Sequence, residues 1–202
     1  MTGTDPTRGA DDWARWRERV DLDEYDRRWE QMAAAGENPH GEVDLLMGYA
    51  PRTVLDAGCG TGRVAIELHR RGIRCEGTDL DADLLDRARA KAPEIPWHLA
   101  DLAELDLGRT FDIVVAAGNV IGFVRPEDRE AAVRCSAAHV APGGRLIVGY
   151  SRNRRWPSIE QYDQWCAAAG LELELRLATW SGDPFAEETS DYHVSIHRRP
   201  PD

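Results

Sequence analysis

The stretch from residue 53 to residue 150 sets the strongest limit on the fold. Strand-like runs fall at 53–57, 74–79, 96–100, 111–116 and 144–150, and helical stretches separate them at 62–71, 81–92 and 127–140. In the last of these, Val133, Ala137 and Val140 mark one face. Strands alternating with helices form βαβ units, and right-handed crossovers then gather the strands into one mostly parallel sheet. After 150 the rhythm changes. A helix at 158–169 stops at Gly170, and two alternating runs follow, near 171–180 (LELELRLATW) and 191–198 (DYHVSIHR). Strict alternation predicts a half-buried antiparallel pair closing the sheet.

Ahead of the sheet, residues 11–35 are helical in pattern. Trp13, Trp16 and Val20 recur at +3 and +7, and Leu22, Tyr25, Trp29 and Met32 at +3, +7 and +10. Gly36, Asn38 and Pro39 end the segment, and a short helix is expected around 41–49. Residues 1–10 have little to bury and read as a disordered tail. The expected organisation is tail (1–10), helical lid (11–50) and one α/β domain (51–202).

The 202 residues suit one domain, and 42% hydrophobic with 30% charged residues gives a buried core rather than disorder. The net charge of −11 argues against a general nucleic-acid or anionic-membrane binder, because phosphate contacts need clustered Lys and Arg. The four cysteines (Cys59, Cys75, Cys135, Cys166) form no CxxC pair, and no two histidines have helical metal spacing. Neither a metal site nor a disulfide framework is expected, and free thiols fit the cytoplasm. The polar N-terminus has no signal-peptide core, and no stretch is long enough to span a bilayer.

Between the first strand and its helix lies VLDAGCGTGR (54–63). A glycine turn feeding a helix N-terminus lets a ligand approach the backbone and points free N–H groups at it. The spacing is G-x-G-x-G, and Arg63 stands where the dinucleotide fingerprint needs glycine. Asp79, at the end of the second strand and 21 residues beyond Gly58, reads either as a ribose-binding acid or, with Asp81, as a helix cap. Asp101, after the third strand, reads as a partner for an adenine amine or as a turn cap. VVAAGNVIGF (114–123) ends the fourth strand in small residues and leaves room for a ligand.

In this order, VLDAGCGTGR, GTDLDADLL, HLADLAEL, FDIVVAAGNVIGF and VAPGGRLIVG resemble the successive motifs of class I S-adenosylmethionine-dependent methyltransferases. The resemblance covers about 40–150, and the chain as a whole, including YDRRWEQMAAAGENPHGEVDLL, is similar to small actinobacterial-type members. It implies a Rossmann-like, doubly wound seven-stranded sheet with an antiparallel C-terminal hairpin. It also implies S-adenosylmethionine as cofactor and S-adenosylhomocysteine as product. Asp56, Gly58, Cys59, Gly60 and Gly62 would line the methionine half of that cofactor. Asp79 would hold the ribose, Leu80 would pack on the adenine, and Asp101 and Leu102 would face its edge. Ala117, Gly118 and Asn119 would pass beneath the sulfonium. The Asn/Asp-Pro-Pro-aromatic stretch of nucleobase amine methyltransferases is absent from 118–121, which favours a small-molecule acceptor, attacked at O, N or C.

Candidates for the acceptor pocket are Tyr25, Trp29, His40 and Phe123. His40 reads either as a base or cofactor contact, or as a loop residue capping the 41–49 helix; it is the sole candidate for a catalytic residue. Tyr25 and Trp29 read equally as the core face of their helix, and His193 as structural. Two other functions stay open. A non-catalytic cofactor-binding protein needs no base. A nicotinamide-dependent oxidoreductase needs glycine at 63 and a Tyr/Lys pair, and the only lysine is Lys91. Neither an acceptor nor an oligomeric state is specified.

Overall fold

The computed structural model describes residues 11–201, so the tail expected at 1–10 lies outside the described residues. Two helices, α1 (Asp11–Arg19) and α2 (Leu22–Ala34), come first, and a third, α3 (Gly41–Met47), leads into the sheet. Asp21 starts α2 by accepting the N–H groups of Asp23 and Glu24, which satisfies two donors that a helix start leaves unpaired. The alternating region then runs β1 (Thr53–Ala57), α4 (Arg63–Arg70), β2 (Arg74–Asp79), α5 (Ala82–Lys91), β3 (Trp97–Leu99) and β4 (Phe111–Ala116). It continues with α6 (Val120–Phe123), α7 (Arg129–Ala138), β5 (Val140–Ser151), α8 (Ile159–Ala168), β6 (Glu172–Leu177) and β7 (Tyr192–Arg198).

The seven strands are ordered β3-β2-β1-β4-β5-β7-β6. The first five pair in parallel, and β7 is antiparallel to both β5 and β6. The chain leaves β1 toward β2 on one side and later returns to β4 on the other. That reversal opens a crevice at the C-terminal ends of β1 and β4, where doubly wound sheets bind ligands. Side chains alternate across the sheet. Leu55, Val114, Leu146 and Val148 pack under α7 and α8, with Val133, Ala137, Tyr162 and Cys166. Val54, Ile113, Val115 and Ile147 pack on the other face with Val43, Leu46, Val64 and Leu68 of α3 and α4.

The terminal strands differ from the half-buried pair their alternation predicts. β6 is the sheet edge and is largely exposed, including Leu173 and Leu175. β7 lies between β5 and β6 and is buried on both faces, so its polar stripe His193, Ser195 and His197 faces protein instead of water. β5 begins earlier than its apolar core suggests. Phe111 pairs with Val140, and the register then jumps to Ile113 with Arg145, which absorbs the Pro-Gly-Gly segment. Among the described residues, no helix is long and apolar enough to cross a membrane.

Candidate active site

The C-terminal ends of the central strands open into a cavity of about 900 Å³, roofed by α1 and α2. Asp56, Gly58, Cys59, Gly60, Asp79, Leu80, Asp101, Leu102, Ala117, Gly118 and Asn119 line it from the sheet side. Tyr25, Trp29 and Phe123 line it from the other. Gly62 and His40 do not. Gly62 faces inward, and a Cβ there would fall 2.7 Å from the Trp97 ring. His40 stands at the start of α3 without capping it, and its Nε2 lies 3.8 Å from Glu67.

The glycine turn is held from beneath. Gly58 and Cys59 both donate N–H groups to the Thr78 carbonyl, which ties the turn to the end of β2. Gly58 has φ +75°, and a Cβ there would meet Val120 at 2.5 Å, so only glycine lets α6 approach so closely. Asp56 is buried behind the turn and accepts the Ala65 N–H at 3.1 Å. That burial pushes its carboxyl up to about 7. Burial also holds the Cys59 thiol well above its ordinary range, so it stays protonated.

Both strand-end acids have cap-like bonds as well as a place in the cavity wall. Asp79 accepts the Gly60 N–H at 2.8 Å and the Asp81 N–H at 3.0 Å, and burial raises its pKa. Asp81 is the cap of α5, binding the N–H groups of Asp83 and Leu84. Asp101 accepts the Ala103 N–H through one oxygen. Leu80, between these acids, leaves 51% of its surface exposed and lines the cavity. Asn119 takes φ +72° and accepts the Ser151 N–H through Oδ1, which pins the turn between β4 and α6. The glycine turn, the strand-end acids and the apolar Leu80 shelf together suit a ligand with polar and flat apolar parts.

The opposite wall is aromatic, and only part of it shows in the sequence. Trp13 and Trp16 stack at 4.9 Å, Trp16 meets Tyr25 at 5.7 Å, and Phe123 lies 5.9 Å from Trp13. The +3 spacing of the two tryptophans marked a helix face without showing that a cavity lies against it. Trp180 and Tyr192 also line the cavity, bonded to each other at 3.0 Å. Phe185 and the arginines of 152–155 do not line the cavity. Arg63 and Glu42 do, and they form a two-pronged ion pair with contacts of 2.8 and 2.5 Å. At the sequence level Arg63 shows only as a break in a glycine pattern, and Glu42 gives no signal.

Comparison with known proteins bears on this arrangement. The family described as "Methyltransferase domain" matches residues 54–144. A TehB-like SAM-dependent methyltransferase from Corynebacterium glutamicum is 35% identical, with a TM-score of 0.79 over 88% of this chain and 97% of that one. SAM-bound CalS10, an amino pentose methyltransferase from Micromonospora echinaspora, shares the fold at 21% identity, with a TM-score of 0.68 over 89% and 97% of the two chains. A curated relative is the dTDP-3-amino-3,4,6-trideoxy-alpha-D-glucopyranose N,N-dimethyltransferase of Streptomyces venezuelae. It is 32% identical over 109 residues, which are 52% of this chain and 46% of that protein. The chain thus spans about half the length of the curated relatives it matches. Identity at this level across nearly all of the C. glutamicum protein, on the same doubly wound sheet, means that the chain belongs to the class I S-adenosylmethionine-dependent methyltransferases.

Proposed function

We propose that this chain transfers a methyl group from S-adenosylmethionine to a small-molecule acceptor, with an amine nitrogen as the attacked atom. The observation that carries this is one cavity of about 900 Å³, in which the glycine turn and strand-end acids face an aromatic wall across shared space. Asp79 would take the ribose hydroxyls, since each of its oxygens accepts one backbone N–H and keeps lone pairs toward the cavity. Leu80 would support the adenine, and the free oxygen of Asp101 would accept from its amine. Asp56, Gly58, Cys59 and Gly60 would flank the methionine half, with the Ala117 and Gly118 carbonyls near its ammonium. Gly62 supports this set by letting the turn pack on Trp97. Bound there, the cofactor supplies an electrophilic methyl carbon on a sulfonium, with a neutral thioether as leaving group.

The chain's own share is binding, alignment and exclusion of water. Among the described residues the cavity walls hold no histidine and no lysine. Glu42 is committed to Arg63, and Asp128 to Arg125. A free-base amine suits such a site, because it attacks without prior deprotonation and releases its proton to water afterwards. The amino-sugar N-methyltransferase among the relatives supports the same choice. α1 and α2 act as a lid over both ligands. Four free cysteines fit a cytoplasmic setting, and the net charge of −11 disfavours nucleic acid as acceptor.

Calorimetry with S-adenosylmethionine, S-adenosylhomocysteine, NAD and NADP tests the first half. The first two should bind, and Asp79→Ala should weaken them about a hundredfold by removing two hydrogen bonds to a charged group. Preference for NAD, or binding indifferent to Asp79, rejects the proposal. Methylation of an amine panel that includes amino sugars tests the second half. Cofactor binding without any turnover favours a non-catalytic binding protein.

A further inference from the structure

Two guanidiniums lie over the Trp29 indole, Arg63 at 4.0 Å from its centroid and Arg28 at 4.4 Å. Their charge is balanced unequally. Arg63 holds Glu42 and the Pro39 carbonyl. Among the described residues, Arg28 has no carboxylate within 4.0 Å. Asp26 is engaged by Thr61 and Lys91, at 2.6 Å each, and Glu24, one turn before Arg28, makes no ion pair among the described residues. Among the described residues, exposed Arg28 on the cavity wall therefore has no paired carboxylate, as Arg19 has none, and Glu24 shares that wall. The Trp29 Nε1–H beside Arg28 is sealed from solvent and has no acceptor among the described residues. An indole N–H only donates, and being covered in this structure it meets a ligand acceptor only when the wall shifts to uncover it. Tyr25, 5.3 Å beneath the Arg28 guanidinium, adds a phenol that burial keeps protonated.

We propose that Arg28, Trp29 and Tyr25 form an anion subsite for a carboxylate or phosphate group on the methyl acceptor, a specificity that rests on the methyl-transfer reading above. Planar guanidinium and indole donors match the in-plane lone pairs of such a group. The position favours the acceptor over the cofactor. Arg28 stands on α2, on the wall shared with Trp13 and Trp16, whereas the strand ends carry Asp79 and Asp101. A flat ring bearing an acid would stack on the tryptophans and reach Arg28 with its charge.

Calorimetry on the full chain saturated with S-adenosylhomocysteine tests this, with benzoate, phenyl phosphate and neutral benzamide as probes. The first two separate a carboxylate preference from a phosphate one. Wild type should bind at least one of them about tenfold more tightly than benzamide, the size of one charge-assisted hydrogen bond. Arg28→Gln should lose that preference, Arg28→Lys should regain part of it, and Arg27→Gln, changed at an exposed neighbour, should keep it. Equal binding of benzamide, or a preference that survives in Arg28→Gln, overturns the subsite. So does an Arg28→Gln variant that loses S-adenosylhomocysteine yet keeps methylthioadenosine, because Arg28 would then serve the cofactor's own carboxylate. Failure of wild type to bind S-adenosylhomocysteine rejects the methyl-transfer reading instead, and the same probe series on the unliganded chain still tests the subsite.

Discussion

Gly58 and Gly60 are two positions apart and differ in what a methyl group would meet. A Cβ at Gly58 would strike Val120 at 2.5 Å, whereas one at Gly60 would have nothing within 4 Å and would point into open space. Both residues have positive φ, so alanine strains either by about 1–2 kcal/mol. Gly58→Ala should add the clash and lose about 2–4 kcal/mol in urea melts. Gly60→Ala should lose only about 1–2 kcal/mol of stability, while its methyl group narrows the space beside Asp79 and weakens S-adenosylhomocysteine about tenfold or more. Equal stability losses with equal affinities would contradict this division. It also explains what the sequence could reveal of the site. Asp79 and Asp101 are legible because an acid at a strand end has few places to go in such a fold. Spacing alone does not tell Gly60, which faces the cavity, from Gly62, which faces Trp97. Nor does it show that His40 turns toward Glu67, since that depends on how α3 meets α4.

The βα units are legible because helix and strand periods differ and glycines punctuate them. The burial of β7 is not, because a period of two marks polarity without naming what covers the polar side. The alternation makes Ser195 and His197 part of a polar face and His193 a structural residue without saying what covers them, and in the fold α8 and Tyr150 do so. The attachment of the first two helices escapes notice for a related reason, being made by charges distant in sequence. Arg17 binds Asp81 at 2.7 Å and Asp83 at 2.8 Å, Asp23 binds Arg87 at 2.5 Å, and Asp26 binds Lys91 at 2.6 Å. Exposed pairs of this kind are weak and screened by salt. Trypsin cleavage after Arg19 and Arg28 should therefore speed up several-fold between about 0.05 and 0.5 M NaCl, as the Debye length shortens. S-adenosylhomocysteine should suppress it. Asp26→Asn should give the fast pattern at low salt, because it removes the charge that holds Lys91 of α5. Cleavage that ignores salt would mean that apolar contacts hold these helices down.

At the scale of the whole molecule, two buried groups on different parts of the sheet oppose one another in pH. Burial pushes Asp56, behind the glycine turn, from 3.8 up to about 7. Between those values the native chain holds a proton that the unfolded chain has released. The stabilisation is thus full below pH 3.8 and is lost as pH rises through about 7. Burial and the nearby Arg176 push His193, on β7, from 6.5 down to about 4. Here the unfolded chain holds the extra proton, so the stabilisation is full above pH 6.5 and is lost as pH falls through about 4. Each slope is on the order of 3 kcal/mol across its window, and the two have opposite signs. Asp79, also raised by burial, adds to the Asp56 side, so wild-type stability should fall only mildly between pH 4 and 6.5, while the Asp56 and His193 titrations oppose one another within it. Single substitutions should expose them in urea melts across that range. Asp56→Asn keeps an oxygen for the Ala65 N–H and should leave a stability that climbs with pH, by about 3 kcal/mol. His193→Gln keeps a partner for Ser195 and should leave one that falls by a similar amount. Parallel curves for all three proteins would mean that neither group is held out of its ordinary range. Opposed curves would show that the turn beside the cavity and the polar stripe under α8 strain the same fold from opposite directions.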